Sequence, residues 1–449
     1  FRARLSNTGD DRSLLDRLRA CTDEIAAPFV RSAFVGNAGI VAFGDGNETL
    51  ALKAETHNHP SAVEPFGGAN TGVGGVIRDV LGIGHAAIAV TDVLCFGPPD
   101  TPLEMLPDGS LHPLRIREGV IDGVADYGNK IGLPTVAGAI LYDPGYTTNP
   151  LVFAGCVGKA TGWEADAGPF PGDRVVLLGG RTGRDGIRGA TFSSLTMDAT
   201  TGEVAGASVQ IGDPIVEKLL IDVLVGAEGW YSAITDCGAG GLSSAIGEMA
   251  EQVGADVELD RVPLKYPGLE PWEIWLSEAQ ERMVVAVPPA HLADLTDRCR
   301  RFGVELADLG EFTGDGVLTV RSGGTPVLEL ATKFLHDGRP TRELTATMPD
   351  PDRASTPTRQ VADPAATLLE LLGHRNIASK AATIHRYDHE IGGATAVRPL
   401  VGRLADGPGD GSVLGSPTGS TGYAIGIGVN PWFGVHDPER MAHAVVDEA

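Results

Sequence analysis

Lys53, Glu55, His57, Asn58 and His59 crowd one short stretch, Lys53-Ala-Glu-Thr-His-Asn-His59. If the stretch is a strand, alternation puts residues 53, 55, 57 and 59 on one face. An apolar core would not carry that set, so the face reads either as a solvated edge or as one wall of a site. An imidazole titrates near neutrality, which makes His57 or His59 a candidate general base. A zinc pair is the weaker reading, because no third soft ligand stands at motif spacing.

The chain runs on through Pro65 into Gly67-Gly-Ala-Asn-Thr-Gly-Val-Gly-Gly75 and then Val-Ile-Arg-Asp79. We expect a glycine loop that opens a helix. Residues 73, 76, 77, 80 and 81 form its apolar stripe, and Gly72, Gly75, Asp79 and Gly82 its opposite face, with Arg78 at the flank. Glycine on a helix face costs roughly 1 kcal/mol relative to alanine. That cost suits the close approach of a ligand, or of another helix packed over the glycines. The free N–H groups of the helix start would also suit an anion.

Three further blocks carry polar groups. Ala233-Ile-Thr-Asp-Cys-Gly-Ala-Gly-Gly-Leu-Ser-Ser244 reads as strand, Asp236, glycine turn, helix. Ligands gather beyond strand carboxyl ends, and Asp236 would there bind a hard cation such as Mg²⁺, with Glu55 and Asp79 as companions. The plain alternative is a turn or N-cap residue; Cys237 reads as packing. Gly179-Gly-Arg-Thr-Gly-Arg-Asp-Gly-Ile-Arg-Gly-Ala190 is a basic loop suited to phosphate, without the ending of a P-loop. Trp275-Leu-Ser-Glu-Ala-Gln-Glu-Arg-Met283 offers Glu278 and Gln280.

Alternating strand and helix patterns must position these groups. After an N-terminal lead-in (1–28) with a helix, residues 29–167 read as strands and helices, including a buried strand at 86–94, a helix at 121–131 and a strand at 135–141. Gly168-Pro-Phe-Pro-Gly-Asp173 is a plausible boundary turn. A second unit, 168–335, shows strands at 175–178, 231–235, 283–287 and 317–320, and helices at 213–224 and after Gly241. Residues 336–366 read as a linker, and a third unit begins in 367–449. There is an internal echo: Gly44-Asp-Gly, a strand, Asn58, Pro65 and a helix to Asp79 resemble Gly409-Asp-Gly, a strand, Asn430, Pro438 and a helix to Asp447.

The 35 basic and 59 acidic residues leave a net charge of −24, which argues against a general nucleic-acid or anionic-membrane binder. A local basic pocket for a small phosphorylated substrate remains compatible. No apolar run approaches a membrane span, and no secretory leader opens the chain. The five cysteines are scattered without a CxxC, which fits a reducing cytoplasm rather than a disulfide framework. Because the chain opens on Phe1 and stops inside a helical pattern, we expect a fragment of a longer polypeptide.

Together these blocks resemble the synthetase portion of the phosphoribosylformylglycinamidine synthase family. The resemblance is carried by Glu55-Thr-His-Asn-His-Pro-Ser-Ala-Val-Glu-Pro-Phe-Gly-Gly-Ala69, Thr71-Gly-Val-Gly-Gly-Val-Ile-Arg-Asp79, Leu178-Gly-Gly-Arg-Thr-Gly-Arg-Asp-Gly186, Ser208-Val-Gln-Ile-Gly-Asp-Pro214, Asp236-Cys-Gly-Ala-Gly-Gly-Leu242 and Leu276-Ser-Glu-Ala-Gln-Glu-Arg-Met283. Asn376-Ile-Ala-Ser-Lys and Tyr387-Asp-His look like the start of the family's second half. The resemblance implies an α/β (α+β) fold of PurM-like tandem architecture. In it a ferredoxin-like α+β sheet domain precedes a larger α/β domain, both are repeated, and the sheet domain pairs with its counterpart.

The family's reaction turns the amide of formylglycinamide ribonucleotide into an amidine. ATP activates the amide oxygen as an iminophosphate, and ammonia from a glutaminase subunit or fused glutaminase domain displaces phosphate. By this resemblance Lys53 would touch ATP, and Glu55, Asp79 and Asp236 would bind Mg²⁺. His57 would be the proton acceptor. Thr56, His57, Asn58, His59, Arg78, Gln210, Glu278, Ala279 and Gln280 would line the ribonucleotide site. The family's upstream Ser-Glu-His-Cys-type segment has no match here, and its second half completes the ATP site. The stretch by itself is therefore expected to bind substrate and to turn over poorly or not at all. Another ATP-using relative, such as aminoimidazole ribonucleotide synthetase, and a non-catalytic paralogue are the alternatives; the His-Asn-His-Pro and Ser-Glu-Ala-Gln-Glu-Arg blocks favour the first reading.

Overall fold

In the computed structural model, residues 4–5, 13–44, 46–165, 167–187, 189–193, 196–199, 201, 209–338, 340, 343–345, 361–415 and 421–449 are described. Most of the expected linker, together with Asp45, Arg188 and Ser208 of the motifs above, lies outside them.

The lead-in helix α1 (Leu14–Ile25) begins at Ser13, whose Oγ accepts from the Asp16 N–H at 3.2 Å while the Asp16 carboxylate reaches back to the Ser13 N–H. This is a capping box with Asp in place of Glu. The first sheet follows with β1 (Val30–Ser32), β2 (Gly39–Phe43), β3 (Glu48–Thr56), β4 (Ala86–Phe96), β5 (Thr135–Tyr142) and β6 (Leu151–Thr161). Its order is β1-β2-β3-β6-β4-β5, antiparallel throughout except for the parallel β4–β5 pair. That parallel pair requires a crossover, which α4 (Pro113–Ile131) supplies. Pro113 at the first turn and Gly132 in the left-handed region (φ 79°) mark the ends of α4, so it starts eight residues before the expected 121.

Between β3 and β4 lie α2 (Asn58–Val63) and α3 (Pro65–Leu81). Here the expectation fails: the glycine run is no loop, and all of it is helical from Pro65 onward. Proline at the first helical position sets the start. Part of the glycine content serves helix packing. A Cβ at Gly74 would stand 2.5 Å from Tyr127 Cζ, and one at Gly123 of α4 would stand 2.4 Å from Phe66 O. The helix start thus lies two residues before the first glycine, so that Gly67 and Gly68 belong to the first turn of α3 rather than to a loop ahead of it.

The second sheet comprises β7 (Arg174–Gly179), β8 (Ala233–Asp236), β9 (Ala255–Glu258), β10 (Arg282–Val287), β11 (Leu306–Phe312), β12 (Val317–Ser322) and β13 (Thr325–Ala331), in the order β13-β12-β9-β11-β7-β10-β8. Its helices are α5 (Pro214–Leu224), α6 (Leu242–Met249), α7 (Pro271–Leu276) and α8 (Leu292–Phe302). One apolar core joins both domains. It runs from Leu94 and Cys156 of the first sheet through Val76 and Val80, then Leu220 and Leu295, to Val176 and Val285 of the second sheet. The other face of the second sheet is covered by Leu242, Ile246 and Trp275. Helix α3 is therefore sandwiched, with its far side aimed at the second domain.

The third unit opens with α9 (Pro364–Gly373), whose first three residues fall in the stretch expected as linker and the rest in the expected third unit; Asp363 Oδ1 accepts from the Ala365 and Ala366 N–H groups. Its sheet, β14 (Thr395–Val397), β15 (Gly411–Gly415) and β16 (Gly422–Gly426), packs Leu414, Tyr423 and Ile425 on Ala89, Val136 and Val157 of the first sheet. Then come α10 (Pro431–His436) and α11 (Pro438–Glu448). The order strand, six-residue helix, proline, longer helix thus repeats that of β3, α2 and α3, which gives the sequence echo a structural counterpart.

Tyr387 of the third unit donates to the buried Asp92 on β4 at 2.8 Å. Burial pushes the Asp92 carboxyl up to about 7, from an ordinary 3.8, against the pull of that hydrogen bond. With the folded-state value raised, its contribution to stability is full below about pH 4 and is lost as pH rises through about 7. Asp92→Asn keeps an acceptor for Tyr387 and cannot ionise. Relative to the natural chain, its melting temperature is expected to be higher at pH 8 than at pH 5. A pH-independent difference in thermal unfolding would sink this assignment.

Candidate active site

Four segments converge between the two domains. Strand β3 ends at Thr56, and His57 stands at the N-cap of α2, so the chain turns there. The alternation expected to carry through residue 59 therefore stops at the strand end. Helix α3 presents Gly72, Gly75 and Asp79, and β8 delivers Asp236 at its carboxyl end. Beyond it Gly241 (φ 57°) opens α6, and a Cβ there would fall 1.8 Å from Ser277 O, so only glycine fits. The fourth segment, residues 277–281, joins α7 to β10. These elements enclose a cavity of about 740 Å³.

His57 Nδ1 lies 2.5 Å from the Gly68 carbonyl oxygen on α3. A carbonyl can only accept, so Nδ1 carries the proton and Nε2 holds the lone pair. Burial lowers the pKa of this imidazole, with the Gly68 hydrogen bond opposing. It is thus held neutral and in one tautomer. Gly72 makes room for it: a Cβ there would stand 3.0 Å from His57 Cβ.

Lys53 Nζ bridges Glu55 at 2.9 Å and Asp79 at 3.0 Å. Burial opposes its charge, but Asp79 and Glu55 together raise its pKa. Asp79 is pushed up to about 7, first by burial and then by the field of Asp236. Asp236 is itself raised by burial and accepts from Asn37 Nδ2 at 3.1 Å. Among the described residues no group of three or more His, Cys, Asp or Glu is gathered tightly enough to hold a metal ion by itself. Yet Glu55, Asp79 and Asp236 all line one cavity, and the mutual disfavour of Asp79 and Asp236 is what a cation would relieve.

Arg78 is 1 % exposed, not at the rim. Its guanidinium donates to Glu217 at 2.5 Å and to the Gln280 side-chain oxygen. Gln280 Nε2 donates to the Glu278 carbonyl oxygen at 2.7 Å. The Glu278 carboxylate accepts from Gln210 Nε2 at 2.6 Å and from the Gly240 N–H at 3.1 Å. Oriented carboxylate and amide groups thus form a second wall opposite His57.

Of the residues singled out from sequence, Glu55, Thr56, His57, Arg78, Asp79, Gln210, Asp236, Glu278 and Gln280 line this cavity. Lys53 stands behind Glu55 and Asp79. Three others lie outside the lining. Asn58 Oδ1 accepts from the Val152 N–H at 2.8 Å, tying α2 to β6. His59 packs edge-on against Phe192 and lies 3.5 Å from Asn149 Nδ2. Ala279 is fully buried. Of the basic glycine loop, Ile187 and Gly189 reach the cavity, while Arg184 pairs with Glu273 and Arg181 with Glu305. The sequence reading missed Asn37 and Glu248, which also line the site, and Glu217, Tyr127 and Glu281 behind it. Glu217 had a signal: it stands on the apolar stripe of α5 with Leu220 and Leu224.

Residues 35–160 match the family model "AIR synthase related protein, N-terminal domain", and residues 171–323 match "AIR synthase related protein, C-terminal domain". The chain is 41 % identical over 372 residues to phosphoribosylformylglycinamidine synthase subunit PurL of Methanopyrus kandleri, covering 81 % of this chain and 50 % of that relative. It is 38 % identical over 434 residues to the subunit of the same name from Moorella thermoacetica, covering 94 % and 57 %. Among solved structures it resembles T. maritima PurL complexed with FGAR (TM-score 0.71, 30 % identity, 95 % of this chain and 64 % of that one). It also resembles PurLQS from Thermotoga maritima (TM-score 0.72, 30 % identity, 95 % and 64 %) and T. maritima PurL complexed with ATP (TM-score 0.67, 29 % identity, 94 % and 64 %). The chain spans about half the length of the curated relatives it matches. No helix among the described residues is long and apolar enough to cross a membrane.

Proposed function

Since this chain belongs to the AIR synthase related family, as a homologue of the PurL subunits, we propose that it carries the amidine-forming site of phosphoribosylformylglycinamidine synthase. On this reading formylglycinamide ribonucleotide, ATP and ammonia yield formylglycinamidine ribonucleotide, ADP and phosphate. The supporting observation is the cavity itself: one wall offers an imidazole lone pair, a second wall oriented amide and carboxylate groups, and the floor opposed carboxylates.

His57 Nε2 accepts the proton that ammonia loses as it attacks the activated amide carbon. Thr56, Gln210, Glu278 and Gln280 read the ribonucleotide, with Arg78 fixing Gln280. Asn58, His59 and Ala279 act behind the wall, by setting the backbone that presents His57 and Gln280. Lys53 meets ATP. Glu55, Asp79 and Asp236 hold Mg²⁺, which when bound offsets the charge of the triphosphate and orients it. Two phosphorylated substrates would otherwise repel each other and these carboxylates. Ammonia comes from a glutaminase subunit or fused domain, a reading supported by the likeness to PurL in the PurLQS structure. The net charge of −24 argues against a nucleic-acid partner, and leaves room for small phosphorylated ligands only in a local pocket where a cation offsets their charge.

The test is ADP release by the full-length polypeptide with Mg-ATP, ammonium and formylglycinamide ribonucleotide, each omitted in turn. ADP that requires both the ribonucleotide and ammonium is the expected result. ADP released without the ribonucleotide, or none from a folded protein that binds it, would overturn the proposal.

A further inference from the structure

Arg78 belongs to the first domain, yet Glu217, Gln280 and Glu281, which hold its guanidinium, belong to the second. Glu217 Oε2 accepts from Arg78 Nη1 at 2.5 Å, and Glu281 Oε1 lies 3.7 Å away. Tyr127 OH, on α4, stands 2.6 Å from Glu217 Oε2 and 2.9 Å from Glu281 Oε1, with one proton to share between two carboxylates. Arg78, Tyr127, Glu217 and Glu281 are all buried. Burying such a set is costly unless its geometry is well satisfied, and apolar residues would fill the space at less expense. Glu281 adds strain, since it adopts φ 54° without being glycine. That turn sends the Gln280 side chain toward the cavity and Glu281 back toward Tyr127.

The cluster is not closed on itself. Arg78 Nε and Glu217 Oε1 are buried without a hydrogen-bond partner in the structure. Gln280, by contrast, has a determined orientation: its oxygen accepts from Arg78 and its Nε2 donates to Glu278 O. Flipping the amide would set donor against donor at Arg78. The chain of contacts thus runs from Tyr127 through Glu217 and Arg78 to a side chain in the cavity wall.

We infer that Glu217, backed by Tyr127, is a positioning residue that fixes Arg78, and through it Gln280, before any ligand arrives. Glu217 touches no reacting atom; it removes the rotamer freedom of a long side chain that binding would otherwise have to restrict. The inference rests on the ribonucleotide reading of this cavity for its kinetic consequence, but not for its structural one.

The experiment has two arms, both on the full-length polypeptide. Arginine modification by phenylglyoxal, mapped by peptide mass spectrometry, needs no substrate. Arg282 is fully buried on Ala279 O, Ser277 O and Thr182 and serves as an internal control of folding. In Glu217→Gln, Arg78 should be modified about tenfold faster with Arg282 unchanged, the size expected when a charge-assisted hydrogen bond becomes an ordinary one. The milder Tyr127→Phe should act in the same direction by about threefold, the lower end for an ordinary hydrogen bond one step removed from Arg78. In the kinetic arm, KM for the ribonucleotide should rise about tenfold while kcat and KM for ATP stay within about twofold, the pattern of lost ground-state binding. Unchanged Arg78 labelling in both variants, or equal acceleration at Arg282, would overturn the inference. If the natural protein releases no ADP, the ligase reading fails alone, and the labelling arm still decides the role of Glu217.

Discussion

His57→Ala is expected to lower kcat by about 10²- to 10⁴-fold, the range for removing a positioned general base, while leaving the fold nearly as stable. The geometry separates the two effects. His57 makes one side-chain hydrogen bond, from Nδ1 to the Gly68 carbonyl, and packs over Gly72 at the cavity wall. Losing one such bond costs about 1 kcal/mol, and the vacated space opens into the cavity, where water can enter. The catalytic loss has a different source. With Nδ1 committed to Gly68, only Nε2 can take a proton, and no other imidazole lines the cavity among the described residues. His59, two residues on, packs against Phe192 instead. His59→Ala should therefore leave kcat within about tenfold, below the range for a lost base. Steady-state ADP release and thermal unfolding, measured on the full-length polypeptide for both variants, decide the matter. Equal losses of turnover and stability in His57→Ala would make His57 a structural residue, and a collapse of kcat in His59→Ala would move the base.

The sequence singled out polar residues most of which the fold gathers at one cavity, but it marked their settings less well. Asp79, Asp236, Glu278 and Gln280 were legible because each breaks an apolar or small-residue pattern next to a strand end or helix face. The glycine run of α3 was misread, since glycine is both a loop former and the one residue that lets helices touch backbone to backbone. Only the facing Gly123 and Tyr127, some fifty residues away, decide between those roles. Glu217 shows the same limit from the other side. Its place on an apolar helix stripe was visible, but its cation, Arg78, lies 139 residues away in the other domain. Local pattern reports that a buried charge must be paired; it cannot report with what. Likewise the echo between residues 44–79 and 409–447 indicated repetition, yet the way the third unit docks on the first sheet depends on Leu414, Tyr423 and Val136, none of which is unusual by itself.

Asp79→Asn is expected to separate function from stability by moving them in opposite directions. Burial and the field of Asp236 raise the Asp79 carboxyl to about 7 from an ordinary 3.8, so its ionised form opposes folding. The sign follows from linkage: the stability associated with a raised acid is full below about pH 4 and lost as pH rises through about 7. Asparagine carries no charge at any of these values. At pH 8 the variant should melt at or above the temperature of the natural protein, with Lys53 still paired to Glu55 at 2.9 Å. Turnover should move the other way. If Asp79 helps hold the cation that accompanies ATP, losing its charge should cost about 10²-fold or more in kcat/KM at fixed Mg²⁺. Added Mg²⁺ should recover part of that loss. A residue kept for the fold would give the reverse: a lower melting temperature and a turnover loss indifferent to Mg²⁺. Titrating Mg²⁺ against ADP release at pH 8, beside thermal unfolding at the same pH, distinguishes the two. An unchanged Mg²⁺ dependence would remove Asp79 from the metal site and leave Glu55 and Asp236 to hold it.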